Sequence, residues 1–342
     1  MRSDFRFALS APLLALTLAT LAMTTGCGGG GSATPHTVAT TQPPSSTPGG
    51  TPPPTTPPPT TPPPPTTPPP PPPPTPPPPT APVHGPVVLV VEENHAYSSV
   101  INNSSMPYLN SLANQYSLAT QYFADTHPSI GNYMMMTAGQ IITNDDSFNG
   151  PVSADNLVRH LLQSNKTWKA YAESLPGVGY TGGDVLPYLH RHNPLSYFTD
   201  VTNSGTQQQN LVPFTQFAAD LQAGQLPNFS FVAPNMDNDA HNGSLQQADS
   251  WLQSNIGPLL SSPQFQQGGL LIVVFDESVD TDSAHGGGQV AMVVAGPLVK
   301  KGFQTATFYQ HENMLKFIAT YLGIDTSIGA AGSASAMSEV LQ

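Results

Sequence analysis

The sequence has little charge, few basic residues and almost no cysteine. Only 9% of its 342 residues are charged, whereas an ordinary soluble domain is about 25% charged. Nine Lys and Arg oppose 21 Asp and Glu, and no Lys or Arg lies between Arg6 and Arg159. Without a basic stripe to neutralise phosphates, nucleic acid is not expected as a partner. The single cysteine, Cys27, excludes a disulfide framework and a cysteine-based zinc site.

The N-terminal residues have the pattern of an export signal. Arg2 and Arg6 precede an apolar run over 7–23, which is short for a membrane span, and small residues lead to Cys27. A lone cysteine after a small residue resembles the bacterial lipoprotein signal, in which Cys27 is lipidated and becomes the first residue. Plain secretion or periplasmic release is the alternative. We predict a signal peptide over 1–26 and an exported protein that meets the membrane through a lipid anchor only.

Proline is concentrated in one stretch, where 25 of the 40 prolines lie between Pro43 and Pro82. Proline fixes φ and donates no backbone hydrogen bond, so 27–85, Gly/Ser-rich and then Thr/Pro-rich, is predicted to be extended polyproline II. At about 3.1 Å per residue, forty residues reach roughly 120 Å. We interpret this segment as a tether for a catalytic domain over 86–325, followed by a C-terminal tail over 326–342.

Continuous apolar runs alternate with helical patterns in the predicted domain. The runs 86–91 and 269–275 predict strands that are buried on both faces, as in a parallel sheet covered by helices. Further strands are predicted at 119–124, 167–172, 228–232 and 290–295, and helices at 155–163, 214–221, 244–260 and 311–322. This alternation predicts an α/β fold, an α/β/α sandwich with a mostly parallel central sheet. The segment 175–212 has weak periodicity, and so long a loop is usually functional.

Acidic residues follow both buried strands. Glu92-Glu93-Asn94 ends the first and Asp276-Glu277 ends the second, at the edge of an open α/β sheet where ligands bind. Burying carboxylates together is costly unless a cation compensates them, so we predict a metal site; solvated turns are the alternative. Carboxylate and amide oxygens favour Mg²⁺, Ca²⁺ or Mn²⁺, and nearby histidines keep Zn²⁺ possible.

Ser129 is predicted to lie at a strand-to-helix turn, just before a helix over 132–138. Free N–H groups and the helix dipole favour an anion there. A serine at this place can be a simple N-cap, but beside a metal its hydroxyl can become a nucleophile. Several histidines flank the same strand ends, and of these His241 and His285 are the first candidates for the site.

Six motifs follow one another along the chain. The main ones are Glu93-Asn94-His95-Ala96-Tyr97, Thr126-His127-Pro128-Ser129 with Asn132-Tyr133, and Asp276-Glu277 before a glycine-rich turn. The others are 168–173, 192–198 and 234–241, with Gly296-Pro297 and His311 after them. In this order they resemble the bacterial phosphoesterase family. That family contains acid phosphatases and phosphatidylcholine-type phospholipases C, and it has the alkaline-phosphatase-like fold.

The resemblance implies a hydrolase of phosphoric esters that uses one or more divalent metal ions. It implies a metal held by Glu93, Asn94, Ser129, Asp276 and Glu277. Ser129 would also be the nucleophile, giving a phosphoseryl intermediate that water hydrolyses. Phosphoryl binding or proton transfer would fall to His241 and His285, with His127 and His192 as second candidates. Substrate contacts are expected from His95, Asn132, Asp239 and His311.

The expected substrate is a small phosphorylated molecule. The sequence is shorter than the large phospholipase C members, which favours phosphate monoesters and an acid-phosphatase-like activity. A phospholipase C-type phosphodiesterase acting on phospholipid head groups is the alternative within the same class. A surface binding protein that keeps the fold without turnover is the alternative outside it. Nothing in the sequence indicates an obligate protein partner.

Overall fold

An eight-stranded sheet forms the centre of the protein, in a computed structural model that describes residues 84–342. The predicted signal peptide, Cys27 and nearly all of the tether lie outside the described residues. The strand order is β4-β3-β5-β1-β6-β7-β2-β8. The strands are β1 Val87–Glu92, β2 Ser117–Ala119, β3 Trp168–Ala172, β4 Leu211–Pro213, β5 Phe229–Ala233, β6 Leu270–Phe275, β7 Met292–Ala295 and β8 Phe303–Thr305.

The sheet is parallel except at β7, which pairs antiparallel with both β6 and β2. Every residue of β1 and β6 is buried. Because successive side chains of a strand point to opposite faces, both faces of the sheet are covered here. In the β1–β6 register Glu92 lies opposite Phe275, so Glu93 and Asp276 leave the sheet side by side. The predicted α/β fold with a mostly parallel sheet is confirmed.

Ten α-helices and several 3₁₀ turns surround the sheet within 84–342, and α3 packs with α10 as α2 packs with α8. The helices are α1 Tyr97–Val100, α2 Pro107–Gln115, α3 Ser129–Ala138, α4 Leu157–Gln163, α5 Thr199–Thr202, α6 Gly205–Gln208, α7 Thr215–Ala223, α8 Leu245–Asn255, α9 Pro263–Gln266 and α10 His311–Leu322. Side-chain oxygens of Asn156 and Ser244 cap α4 and α8. No helix of this part of the chain has the length and apolar character needed to cross a membrane.

Some element boundaries differ from those predicted. The strand predicted over 119–124 is β2, which ends at Ala119 and is followed only by isolated bridges at Tyr122 and Phe123. The helix predicted over 244–260 ends at Asn255 and gives way to a 3₁₀ turn that contains Pro258, a residue that cannot donate to a helical ladder. The edge strands β4 and β8 have three residues each, too few for a periodic pattern.

The segment 326–342 packs onto the same core as the rest of the described chain. Ile328, Met337 and Val340 are buried, and the backbone N–H of Lys300 donates to the carbonyl of Val340 at 2.8 Å. A bridge between Val299 and Leu341 extends this contact. These residues therefore contribute to the fold rather than extending from it.

Candidate active site

Side chains from four chain segments meet beyond the carboxyl ends of the parallel strands. Glu93 follows β1, Asp276 and Glu277 follow β6, Asp239 lies in the loop after β5, and Ser129 begins α3. The backbone N–H of Asp276 donates to the carbonyl of Glu92 at 2.9 Å, which carries the strand pairing to the edge of the site. The strand ends therefore bring together the acids and the serine that the sequence singled out.

Ser129 is the first residue of α3 and is only 3% exposed. Its Oγ lies 3.2 Å from Oε2 of Glu93 and 3.3 Å from Oε1 of Glu277. The N-cap position of α3 belongs to Pro128, so the serine hydroxyl points at two carboxylates instead of capping its own helix. A hydroxyl has one proton to donate, so Ser129 can donate to only one of these two carboxylates at a time.

Glu93 is completely buried and is contacted by four side chains besides its strand neighbours. Tyr133 donates its hydroxyl to Oε1 and lies four residues after Ser129, on the same side of α3. Nε2 of His192 lies 3.3 Å from the same oxygen, and the rings of Tyr133 and His192 stack at 5.1 Å. Asn94 donates from Nδ2 to Oε2 at 3.3 Å. Glu93 is thus held in one position from several directions.

Asn94 and Asp276 are joined through the backbone. Asn94 has φ +58°, a left-handed conformation that asparagine tolerates better than most residues. Its N–H donates to Oδ1 of Asp276 at 3.0 Å. The other oxygen of Asp276 is buried and has no hydrogen-bond partner among residues 84–342.

Glu277 contacts both His127 and Asn132. Nδ1 of His127 lies 2.9 Å from Oε2 of Glu277, and its Nε2 lies 3.0 Å from the carbonyl of Asp282. Asn132 donates to Glu277 at 3.3 Å, but its stronger bonds are to the backbone of the turn before Ser129, including 2.8 Å to the carbonyl of Thr126. Asn132, which was predicted to contact substrate, is fully buried and holds this turn.

His192 lies between two carboxylates. Its Nδ1 is 3.3 Å from Oδ2 of Asp239, and its Nε2 faces Glu93. Oδ1 of Asp239 accepts a hydrogen bond from the backbone of His241 at 2.8 Å. Asp239 was expected to bind substrate and His192 to serve in catalysis, but both side chains are buried beside Glu93. In these positions Asp239 and His192 could bind a metal ion or hold the residues that bind it.

The structure places the other predicted histidines in different surroundings. His241 is half-buried, with its ring 6.1 Å from that of His192. His95 bonds through Nδ1 to the carbonyl of Glu93 and packs beside Phe275. His285 lies on an exposed turn, where its ring packs edge-on against Phe123 at 4.4 Å and beside Phe308 at 4.6 Å. These two aromatic rings are its side-chain neighbours in the described part of the chain, and its role in the site stays a prediction.

His311 lies beneath the site and has no exposed surface. Its Nδ1 accepts from the hydroxyl of Tyr122 at 3.0 Å, and its Nε2 donates to the carbonyl of Asp276 at 2.7 Å. Burial lowers the pKa of His311 to about 4, so the ring is neutral. This side chain, which was predicted to contact substrate, holds the end of β6 through these two hydrogen bonds.

The glycine-rich turn after Asp276-Glu277 packs against protein backbone. A Cβ on Gly286 would lie 1.9 Å from the carbonyl oxygen of Asp125, and one on Gly287 would lie 2.4 Å from that of Thr126. Gly286 also has φ +110°, which side chains rarely allow. The glycines thus fit this turn closely against the segment that leads to Ser129.

The carboxyl groups of the cluster favour their protonated forms in the absence of a cation. Burial raises the pKa of Asp276 and of Asp239 to about 7. Burial and then the charge of Asp276 raise the pKa of Glu277 to about 9. Burial, followed by the charges of Asp276 and Asp239, also raises the pKa of Glu93. A group of buried acids can be ionised together only when a positive charge lies among them.

The donor atoms of the cluster fit a divalent cation. Ligand atoms of Glu93, His192 and Asp239 lie within 4.8 Å of one another. In the described part of the chain, Oδ2 of Asp276 is buried without a hydrogen-bond partner, and Oδ2 of Asp239 and Nε2 of His192 have only their 3.3 Å contacts across the cluster, which lack hydrogen-bond geometry. A second group, His127, Glu277 and Asp280, has the same spacing but is partly exposed. Carboxylates with imidazole suit Zn²⁺ or Mn²⁺, and carboxylates alone suit Mg²⁺ or Ca²⁺.

Sequence reasoning left two contributors to this site unassigned. Tyr133 holds Glu93, and its place could have been found from its spacing of four residues from Ser129 on one helix. Asp146 accepts from the N–H of Ile130 at 3.3 Å and so contacts the first turn of α3 beside the serine. Asp146 lies in a loop without periodicity, and no local pattern marked it.

The fold of the chain is shared with solved structures of distant sequence. A crystal structure of a protein in the alkaline phosphatase superfamily from Vibrio parahaemolyticus matches with a TM-score of 0.51 and 13% identity, covering 72% of this chain and 69% of that one. A phosphonate monoester hydrolase from Silicibacter pomeroyi matches with a TM-score of 0.53 and 11% identity, covering 75% and 76%. The predicted alkaline-phosphatase-like fold is confirmed.

Sequence comparison identifies the family. Residues 91–325 match the Phosphoesterase family, and the match contains all the site residues described above. A phosphatidylinositol-3-phosphatase of Mycobacterium tuberculosis is 34% identical over 246 residues, covering 71% of this chain and 78% of that protein. An acid phosphatase of Aspergillus fumigatus is 32% identical over 241 residues, covering 68% of this chain but only 53% of the fungal one. The chain belongs to the Phosphoesterase family, and the predicted phosphoesterase is confirmed.

Proposed function

We propose that the protein is a metal-dependent phosphatase that hydrolyses small phosphate monoesters through Ser129. The observation that carries this proposal is the position of the Ser129 hydroxyl, at the start of a helix and between the carboxylates of Glu93 and Glu277. A nucleophile there has nearby bases for its proton, and the helix start favours the phosphoryl group. The names of the relatives, acid phosphatase and phosphatidylinositol-3-phosphatase, favour a monoesterase.

The first half of the reaction transfers the phosphoryl group to the protein. Ser129 Oγ gives its proton to one of the two adjacent carboxylates and forms a bond to phosphorus. The bond between phosphorus and the ester oxygen breaks, and that oxygen takes up a proton as the alcohol leaves. His127, two residues before Ser129, and His241, whose ring lies 6.1 Å from that of His192, are the groups proposed to supply it.

The second half regenerates the serine. A water molecule attacks phosphorus, the bond from phosphorus to Oγ breaks, and inorganic phosphate leaves while Oγ regains its proton. A divalent cation bound by the Glu93, His192 and Asp239 group with Asp276 would offset the buried negative charge and favour the ionised hydroxyl. Tyr133 holds Glu93, and His311 holds the end of β6, from which Glu277 projects. Both thus keep the carboxylates that accept the serine proton in place.

Turnover by the purified full-length protein tests this function. Hydrolysis of p-nitrophenyl phosphate and of its choline diester is measured across pH, with chelator and with each metal added back. We expect metal-dependent turnover of the monoester, and Ser129→Ala should lower it by about 10⁴-fold or more because the nucleophile is removed. Ser250→Ala is the matched control, since Ser250 is exposed on α8 and bonds only within its own helix.

The other outcomes separate the alternatives. Turnover of the diester alone would assign the protein to the phospholipase C-type branch. Metal binding without hydrolysis of either ester would favour a catalytically silent binding protein. Undiminished turnover by Ser129→Ala would exclude this serine as the nucleophile, whatever the substrate.

A further inference from the structure

The long segment that follows β3 builds a cavity that the proposed reaction does not use. Residues of this segment and of the loop after α3 line two adjoining cavities, of about 200 and 290 Å³. The two share Asn149, His190 and Tyr197. Sites for drug-sized ligands are generally larger, about 300–1,000 Å³, so each of these cavities fits a group about the size of one sugar ring.

The cavity adjoins the site through two direct connections. His190 lines the cavity and shares a 3₁₀ turn with His192, which contacts Glu93. Asp146, also in the cavity wall, accepts a hydrogen bond from the N–H of Ile130, the residue after Ser129. The cavity wall is therefore built by residues next to those that hold Glu93 and Ser129.

The lining includes hydrogen-bond acceptors and an aromatic stack. Nδ1 of His190 lies 2.7 Å from Oδ1 of Asn149, and because an amide oxygen only accepts, Nδ1 carries the proton. Nε2 of His190 has no partner within residues 84–342, although this side chain is only 3% exposed. The ring stacks on Tyr197 at 3.9 Å, and Tyr197 stacks in turn on Phe148 at 5.9 Å.

The charges of the cavity decide between two kinds of ligand. Arg191 is held between two carboxylates, with Nη1 3.0 Å from Asp184 and Nε 3.5 Å from Asp146. One guanidinium against two carboxylates leaves a net negative wall, which disfavours a second phosphate group. Hydroxyl groups can donate to the carboxylates and to His190, and the carbon face of a ring can lie on the aromatic stack.

We propose that this cavity holds the leaving group of the substrate and selects an uncharged polyol, as in phosphate esters of sugars or glycerol. The inference rests on the proposed phosphatase function and names its substrate class. Asp184→Asn is the main test variant because it keeps the size of the side chain and an acceptor oxygen for the N–H of His190, while it removes the charge. Asn149→Ala is the second variant, since it removes the partner of His190.

The first experiment compares kcat/KM for a hexose 6-phosphate, glycerol 2-phosphate and phenyl phosphate. The kcat/KM of each variant should fall about tenfold or more for the two polyol esters. It should fall less than about twofold for phenyl phosphate, whose leaving group has no further hydroxyl to donate a hydrogen bond. Asp145→Asn is the matched control, because it removes one charge from the loop after α3 at a residue outside the cavity wall. Thermal melting of every variant shows whether the fold is kept.

The second experiment measures binding without turnover. In the full-length Ser129→Ala protein, calorimetry compares the hexose 6-phosphate with phenyl phosphate, with and without Asp184→Asn. A preference for the sugar ester that Asp184→Asn removes supports the inference, even if no ester is hydrolysed and the phosphatase proposal fails. If the sugar ester and phenyl phosphate bind equally, and each variant loses the same kcat/KM on all esters, the inference is overturned while the phosphatase proposal stands. Binding of neither ester overturns both.

Discussion

Two buried carboxylate sites in this protein have opposite electrostatics. Asp220 on α7 is 6% exposed and accepts hydrogen bonds from Lys169, Tyr171 and Gln216. Burial alone would raise its pKa, but the bonds from these three side chains outweigh burial and hold the pKa below its usual value. Asp276 at the end of β6 is also buried, and there burial raises the pKa to about 7.

The difference lies in what the fold supplies to each carboxylate. Around Asp220 a cation and two neutral donors are built in, so the charge is stabilised by the chain itself. Around Asp276 the neighbours include further acids, and one oxygen has no partner in the described part of the chain. Buried carboxylates without enough donors are unstable as anions unless a cation binds among them. The contrast with Asp220 is therefore the strongest physical argument for a cation beside Asp276.

Removing the charge of Asp276 and removing that of Asp220 should have opposite effects on activity and stability. The loss of activity at Asp276 is the largest effect we expect. Asp276→Asn should lower kcat/KM for p-nitrophenyl phosphate by about 10³-fold or more, because a ligand charge is lost. The stability of its metal-free form should stay the same or rise, since a buried charge is removed. Asp220→Asn should keep activity but lose stability. Kinetics and melting of both variants check this, and loss of activity in Asp220→Asn alone would reverse the assignment.

Metal-free protein should become less stable as pH rises. Acids whose pKa is raised by folding bind more protons when folded, so the free energy of unfolding falls with rising pH. The fall should begin near the ordinary pKa of Asp and Glu, about 4, and continue through about 7 for Asp276 and Asp239 and about 9 for Glu277. Denaturation in chelator from pH 5 to 9 measures it.

Adding the metal should oppose the loss of stability at higher pH. At a free concentration of 100 times Kd, binding to the folded form adds about 2.7 kcal/mol to the free energy of unfolding. The gain should be greatest at neutral and higher pH, where the carboxylates give up their protons to bind the ion. Stability in chelator that does not change with pH would show that the cluster is satisfied without a cation.

The smallest effect is expected at the partner of Asp220. Lys169→Met keeps much of the alkyl chain but removes the charge, leaving Asp220 with Tyr171 and Gln216 as donors. The loss should be about 2 kcal/mol of stability, below that of a buried pair broken without other donors. Phosphatase activity should be unchanged. A loss of activity comparable to that of Asp276→Asn would mean that the two regions are coupled.

Much of the site was predictable because its signals are local. A continuous apolar run that stops at two acids places Glu93 and Asp276 at the sheet edge, and a serine before a helical pattern places Ser129 at a helix start. The contact of His192 with Asp239 had no such signal, since it joins two loops without periodicity. The glycines beside His285 suggested close approach to a ligand, whereas Gly286 and Gly287 pack against the backbone of Asp125 and Thr126, a long-range contact that no local pattern marks.

The C-terminal residues set the minimum length of a stable fragment. The family match ends at residue 325, but Ile328, Met337 and Val340 lie in the core, and Lys300 donates from Nζ to the carbonyl of Glu339 at 2.8 Å. A fragment that ends at residue 325 would expose the apolar surface that these side chains cover. A fragment made for biochemical work should therefore keep residues 326–342, because the end of the family match and the end of the folded unit do not coincide in this chain.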